Sequence, residues 1–127
     1  MVKAVEAAGI AARKAQESLY NGFCTITEHQ KITDVRSKLT SFEDVVVLEN
    51  QPCRLSFSTN TTTNQTKSAA DVNQTTKLFI SPDITVKPNS KLTITQAGTT
   101  TDYTYSGVPA VYDTHQEIIL ELFERWA

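Results

Sequence analysis

At 127 residues, with 39% hydrophobic and 20% charged residues, the chain has the size of one domain with a modest core and no room for two. A net charge of −2 gives no electrostatic footprint for nucleic acid or an anionic membrane surface. No segment approaches the ~18 consecutive apolar residues that a membrane span requires.

The opening stretch VKAVEAAGIAARKAQ interrupts any apolar run with Glu6, Arg13 and Lys14. It therefore does not read as an export signal, and a reducing compartment is expected. In that setting Cys24 and Cys53, both inside strand-like runs, are expected to be small core hydrophobes rather than a disulfide. The sequons at Asn60, Asn64 and Asn73 fall in a tract so rich in Asn and Thr that chance accounts for them.

Residues 3–20 predict a helix. Val5, Ala8, Ala12, Ala15 and Leu19 alternate at spacings of three and four and so share one face. The many alanines raise propensity, and Arg13 with Glu17 forms an i,i+4 pair. Asn21-Gly22 is expected to stop the helix through a left-handed cap. The small residues of that face offer close approach rather than large burial, so all five are candidates for a contact between subunits, with packing on the chain's own domain as the alternative.

From Phe23 onward the pattern is that of short strands. Phe23–Glu28 alternates loosely, and a polar loop or hairpin is expected over residues 29–41. VVVL within residues 42–49 is a β-branched run suited to a strand, and Asn50-Gln51-Pro52 reads as a turn. Cys53, Leu55 and Phe57 then alternate with Arg54, Ser56 and Ser58, the mark of a half-buried strand.

Residues 58–76, STNTTTNQTKSAADVNQTT, carry Lys67 and Asp71 as their only charges and Val72 as their only large apolar residue. Such a composition cannot offset its own ordering entropy, so a long mobile loop is expected between two strands. After it, Leu78 and Ile80 share a face. Ile84 and Val86, the turn Pro88-Asn89-Ser90, and Leu92 and Ile94 read as a hairpin. Ala97-Gly98 makes the next turn, followed by a strand through Asp102–Tyr105.

The ending DTHQEIILELFERWA reads two ways. Ile118, Leu120 and Leu122 share a face of a strand, whereas Ile119, Leu122, Phe123 and Trp126 fall at helical spacing after a Thr114–Glu117 capping box. The strands around it favour the strand. The whole predicts a mainly β chain: a single small antiparallel β-barrel or sandwich, with an N-terminal helix and one long polar loop.

The residues offer no catalytic pattern. His29 and His115 belong to no metal-ligand spacing, there is no phosphate-cradling glycine loop among 4 glycines, and no serine sits in a nucleophile elbow. Asp113, His115 and Glu117 would share one face of a strand, most simply as a solvated rim. An oligonucleotide-binding barrel needs aromatics in a basic groove, and Tyr103, Tyr105 and Tyr112 lack the accompanying lysines and arginines. No enzyme activity, metal or cofactor is expected.

From Phe23 to the end the chain resembles the small head–tail joining proteins of tailed bacteriophages and prophages, the head-closure or stopper proteins also called minor capsid proteins. CTITEHQKIT, ENQPCRLSFS, the ITVKPNSKLTIT hairpin and the PAVY-to-HQEI ending carry the resemblance. The family's frequent Pro-Gly-Asp turn is here Pro88-Asn89-Ser90.

The resemblance implies a structural virion protein at the head–tail interface, assembled in the host bacterial cytoplasm. It implies a homo-oligomeric ring beneath the portal and adaptor that closes the filled head and offers a surface to the tail terminator and tail. It also implies that the loop between two barrel strands points into the channel and meets packaged double-stranded DNA without sequence specificity. On this chain the loop candidates are Thr61, Thr62, Asn64, Gln65, Thr66 and Lys67. An adaptor or tail-terminator role in the same neck, or a soluble ligand-binding β-barrel, are the competing expectations.

Overall fold

A computed structural model of the chain describes residues 2–61 and 72–126. One helix, α1 (Val2–Glu17), precedes seven strands: β1 (Gly22–Thr33), β2 (Thr40–Thr61), β3 (Val72–Ile80), β4 (Lys91–Gln96), β5 (Thr99–Thr104), β6 (Ala110–Val111) and β7 (Gln116–Leu122). Every pairing is antiparallel, in the order β3-β2-β1-β4-β5-β7-β6, and β3 also pairs β7. Six strands thus form a closed hydrogen-bonded circuit, with β6 as a short appendix on β7. The mainly β expectation with an N-terminal helix holds.

Each strand of the circuit turns alternate side chains inward, as a pleated strand must. Cys24 and Ile26, Cys53 and Leu55, Leu78 and Ile80, Leu92 and Ile94, Tyr103, and Ile118 and Leu120 form one buried cluster. Cys24 and Cys53 are free thiols in this core, as the sequence implies. Hydrogen bonding to Cys53, with burial, pushes the Cys24 thiol pKa up, and both side chains are fully buried, as inert apolar residues are.

The ending is a strand: Ile118 and Leu120 face the core, and the helical alternative is not adopted.

Several local expectations are corrected. Over residues 29–41 the hairpin is formed and not the loop: β1 runs to Thr33 and β2 starts at Thr40 in one long hairpin. Its turn is held by Asp34, which accepts from the Arg36 amide and the Ser37 hydroxyl at 2.9 and 3.1 Å; those bonds lower the Asp34 carboxyl pKa. Nor is Asn50-Gln51-Pro52 a turn. β2 passes straight through it, with register shifts against Cys24–Thr27 and Asn50 at φ 51°. These are β-bulges, which use the same left-handed residue types as turns.

Residues 84–87 are not a strand either. Val86 is buried there and its carbonyl accepts from the Tyr105 hydroxyl. The turn after it is as expected: Ser90 N–H donates to Lys87 O at 3.2 Å, with Asn89 at φ 67°, the residue pattern of a type II turn.

Helix α1 ends at Glu17, earlier than expected, and neither Asn21 nor Gly22 takes a positive φ. Gly22 has a different reason to be glycine. A Cβ there would meet Gln96 Oε1 at 3.1 Å and the Thr95 and Cys53 carbonyl oxygens at 3.2 and 3.3 Å. It is the point where β1, β2 and β4 crowd together.

Candidate functional site

β2 is the axis of the molecule. Its 22 residues span about 70 Å at the usual rise per residue, far more than the circuit needs. At one end it pairs with β1 from Glu28 to Thr33, where β1 has no second neighbour, since β4 stops at the Thr27↔Lys91 pair. At the other end β1 begins only at Gly22↔Cys53, while β2 continues with β3 to Thr61↔Val72. β7 leaves β3 at Thr76↔Leu120. Two two-stranded ribbons therefore leave the circuit from opposite ends of one strand.

The β2–β3 ribbon corrects the boundaries of the expected loop. Ser58↔Thr75, Thr59↔Gln74, Asn60↔Asn73 and Thr61↔Val72 are ladder pairs, so residues 58–61 and 72–76 are strand. Thr and Asn side chains need no burial to tolerate a pleated, solvated ribbon, and Thr favours it. Thr61 is the last described residue of β2. The other channel candidates, Thr62, Asn64, Gln65, Thr66 and Lys67, lie outside the described residues. Between Ser56 and Thr76 no described residue carries a charge.

The root of this ribbon is built by a residue that sequence reading missed. Gln96 Oε1 accepts from the Leu55 amide at 2.8 Å, and Gln96 Nε2 donates to the Leu55 carbonyl at 3.2 Å. The carboxamide replaces the peptide group that β1 would have supplied. It also fixes the sense of the strand: since Leu55 aims its amide and carbonyl away from β3, Phe57 and Thr59 aim theirs the same way. That edge has no strand partner in the described chain. Phe57, half exposed, stands at the mouth of a 220 Å³ cavity lined by Leu55, Ile94, Gln96 and Tyr103.

The other candidate surface is α1. Ala8, Ala12, Ala15 and Leu19 are all exposed, and Ile10 is 58% exposed on another side; Val5 lies on the same helix. The helix is tethered rather than packed. Arg13 reaches Glu17 at 3.1 Å, Asp83 at 2.8 Å and the Ser81 hydroxyl at 2.5 Å, and Asp83, then Glu17, raise its already high pKa.

Two aromatic clusters complete the surface. His29 is stacked between Phe42 and Trp126, at 4.9 and 4.8 Å between ring centres, and bonds Asp44 through Nδ1 at 2.8 Å. The bond to His29 lowers the Asp44 carboxyl pKa, with a smaller share from Trp126. These rings and the Lys87–Ser90 turn wall a 570 Å³ groove beside β1.

On the far side, His115 contacts Glu117 at 2.9 Å and Thr114 at 3.0 Å, and Tyr112 stacks on it. Lys77 pairs with Glu117 at 3.0 Å. The expected Asp113–His115–Glu117 grouping is thus only partly formed: Asp113 stays exposed and Lys77 takes its place. None of the three lines either of the cavities just described. Tyr103 and Tyr105 are core residues, so they offer no stacking platform.

Among the described residues no group of three or more His, Cys, Asp or Glu could hold a metal, and no helix is long and apolar enough to cross a membrane.

No family model matches the chain, and no curated protein matches it. Among solved structures it is similar to the phage-like element PBSX protein xkdH from Bacillus subtilis. The identity is 11%, over 80% of this chain and 93% of that one, with a TM-score of 0.47.

Proposed function

We propose that the chain is a structural subunit of a phage or prophage neck. In this reading it forms a homo-oligomeric ring under the portal or adaptor that closes the DNA-filled head and offers a surface to the tail. The observation that carries the reading is the β2–β3 ribbon. It leaves the strand circuit with no charge among its described residues and with one edge of β2 unpaired beyond Leu55. The sequence beyond Thr61 remains polar, with Lys67 and Asp71 as its charges through residue 71.

In a channel filled with DNA that chemistry has a purpose. Lysines and arginines would hold the phosphates through counterion release and retard ejection. Thr, Asn and Gln give hydrogen bonds without that attraction. An open strand edge is a template for pairing, so copies arranged around an axis can join ribbon to ribbon and obstruct the channel. The role is mechanical, with no chemical step and no cofactor. Helix α1, with its exposed Ala8, Ala12 and Ala15, and Leu19 just beyond its end, then serves as a contact to a neighbouring subunit or the portal side. A mainly β chain disfavours the adaptor alternative, since adaptors are expected to be mostly helical.

Deletion of residues 60–74 tests the reading. The buried cluster involves β2 and β3 only at Cys53, Leu55, Leu78 and Ile80, so the deletion leaves the core intact. The truncated chain should fold, join portal complexes and leave heads that lose DNA. Heads that retain DNA normally, or a truncated chain that no longer folds, would count against the gate.

A further inference from the structure

The strand circuit leaves two further elements unpartnered, and they lie on opposite sides of it. In the order β3-β2-β1-β4-β5-β7, closed by β3–β7, β1 stands three places from β7 in either direction. On β1, residues 28–33 pair only with β2, and among the described residues no other backbone bond engages them. Residues 28–31 of this edge line the groove together with Phe42, Trp126 and the Lys87–Ser90 turn, so Lys31 and Lys87 both lie on its lining. Glu28, the groove's acid, is already paired with Lys87 at 3.7 Å.

On the β7 side, the arm that contains β6 is paired only inward, at Ala110↔Glu117 and Val111↔Gln116. It exposes Val108 at 94%, Val111 at 64% and Tyr112 at 52%, and it is followed by the exposed Asp113.

We propose that the β6 arm of one copy, Val108–Tyr112, adds as a strand to the Glu28–Thr33 edge of the next copy, making a heterologous contact between subunits. This inference rests on the ring reading above and names the interface that builds it. The apolar arm meets the aromatic wall of Phe42 and Trp126, and Asp113 comes to the side that carries Lys31 and Lys87. The two surfaces differ and lie on opposite sides of the body, so repeating the contact propagates around an axis and can close into a ring. Pairing of two β1 edges with each other is disfavoured where a two-fold centred on Lys31 sets it against its own copy. Like charges directly opposite destabilise such a pair.

Two exposed positions allow a test that leaves the core untouched. Val111→Lys disables the arm and Phe42→Glu disables the edge, each at a residue 60% or more exposed. By light scattering after size exclusion, the wild-type chain should rise above monomer mass with concentration, and each variant alone should remain a monomer with an unchanged circular dichroism spectrum. An equimolar mixture should give twice the monomer mass and no more, because the intact arm of the Phe42→Glu chain meets the intact edge of the Val111→Lys chain. Lys31→Glu and Asp113→Lys should each weaken assembly at least tenfold, and together restore it.

A wild-type chain that stays monomeric at every concentration, or a mixture that does, overturns the interface. So do variants that assemble as the wild type does. In that last case the rings themselves persist, so the neck reading stands and only this interface is lost.

Discussion

Replacement of Gln96 by Leu removes the side chain that completes the root of the β2–β3 ribbon. Leu keeps most of the volume and none of the hydrogen bonding. Two bonds to Leu55 are lost, at 2.8 and 3.2 Å, and Leu55 is only 6% exposed. A net intramolecular bond contributes about 1 kcal/mol, and groups left buried without partners cost somewhat more. The site is part-buried, so some water reaches it, and the expected loss is about 2 kcal/mol.

With a urea slope of roughly 1.5 kcal/mol per molar, the unfolding midpoint should fall by about 1.3 M. The assay is urea unfolding followed by far-ultraviolet circular dichroism. Amide exchange provides a local readout, in which Leu55 should exchange about thirtyfold faster at that cost. A midpoint shift below about 0.3 M, with Leu55 exchange unchanged, would refute the view that the carboxamide stands in for a missing strand.

Two smaller perturbations follow from the same geometry. Ala97 sits at φ 53° beside Gly98 at φ 77° in the two-residue hairpin between β4 and β5, a geometry that favours Asn-Gly. Ala97→Asn should therefore stabilise the chain by about 0.5–1 kcal/mol, seen as a higher midpoint in thermal unfolding; a lower one contradicts the turn assignment. Glu117 is held below the usual carboxylate range, first by its bond to His115 and then by Lys77. A depressed carboxyl contributes stability that is fully present above its unfolded-state range and is lost as pH falls through the folded one. Unfolding midpoints measured from pH 7 to 2 should thus decline less for Glu117→Gln than for the wild type. Identical slopes would show that the cluster adds nothing.

What could be read from the sequence was what burial writes into it. Cys53 and Leu55, Leu92 and Ile94, and Ile118 and Leu120 alternate because one face of each strand meets the core, and that period survives any context. Residues 58–61 and 72–75 escaped recognition as strand, and residues 29–33 could not be told from a loop, because ribbons outside the circuit have no core face and so no apolar period. Composition made them resemble loops, although backbone pairing makes them strands. Asn50 misled for a related reason, since a bulge inside a strand and a turn between strands select the same left-handed residue.

The clusters were the least legible part. His29 meets Trp126, and Leu55 meets Gln96, across separations that only the strand circuit closes. A partial signal existed for Gln96, a polar residue that continues the inward alternation of Leu92 and Ile94. The Thr- and Asn-rich tract, with Lys67 and Asp71 as its only charges, remains the feature on which the functional reading turns, now with its flanks seen as paired strand.

Electron microscopy of the concentrated chain, alone and with portal complexes, tests the central claim most directly. The account predicts rings seated beneath the portal, with density from the ribbons projecting toward the axis. A chain that stays monomeric and leaves the portal bare would contradict it.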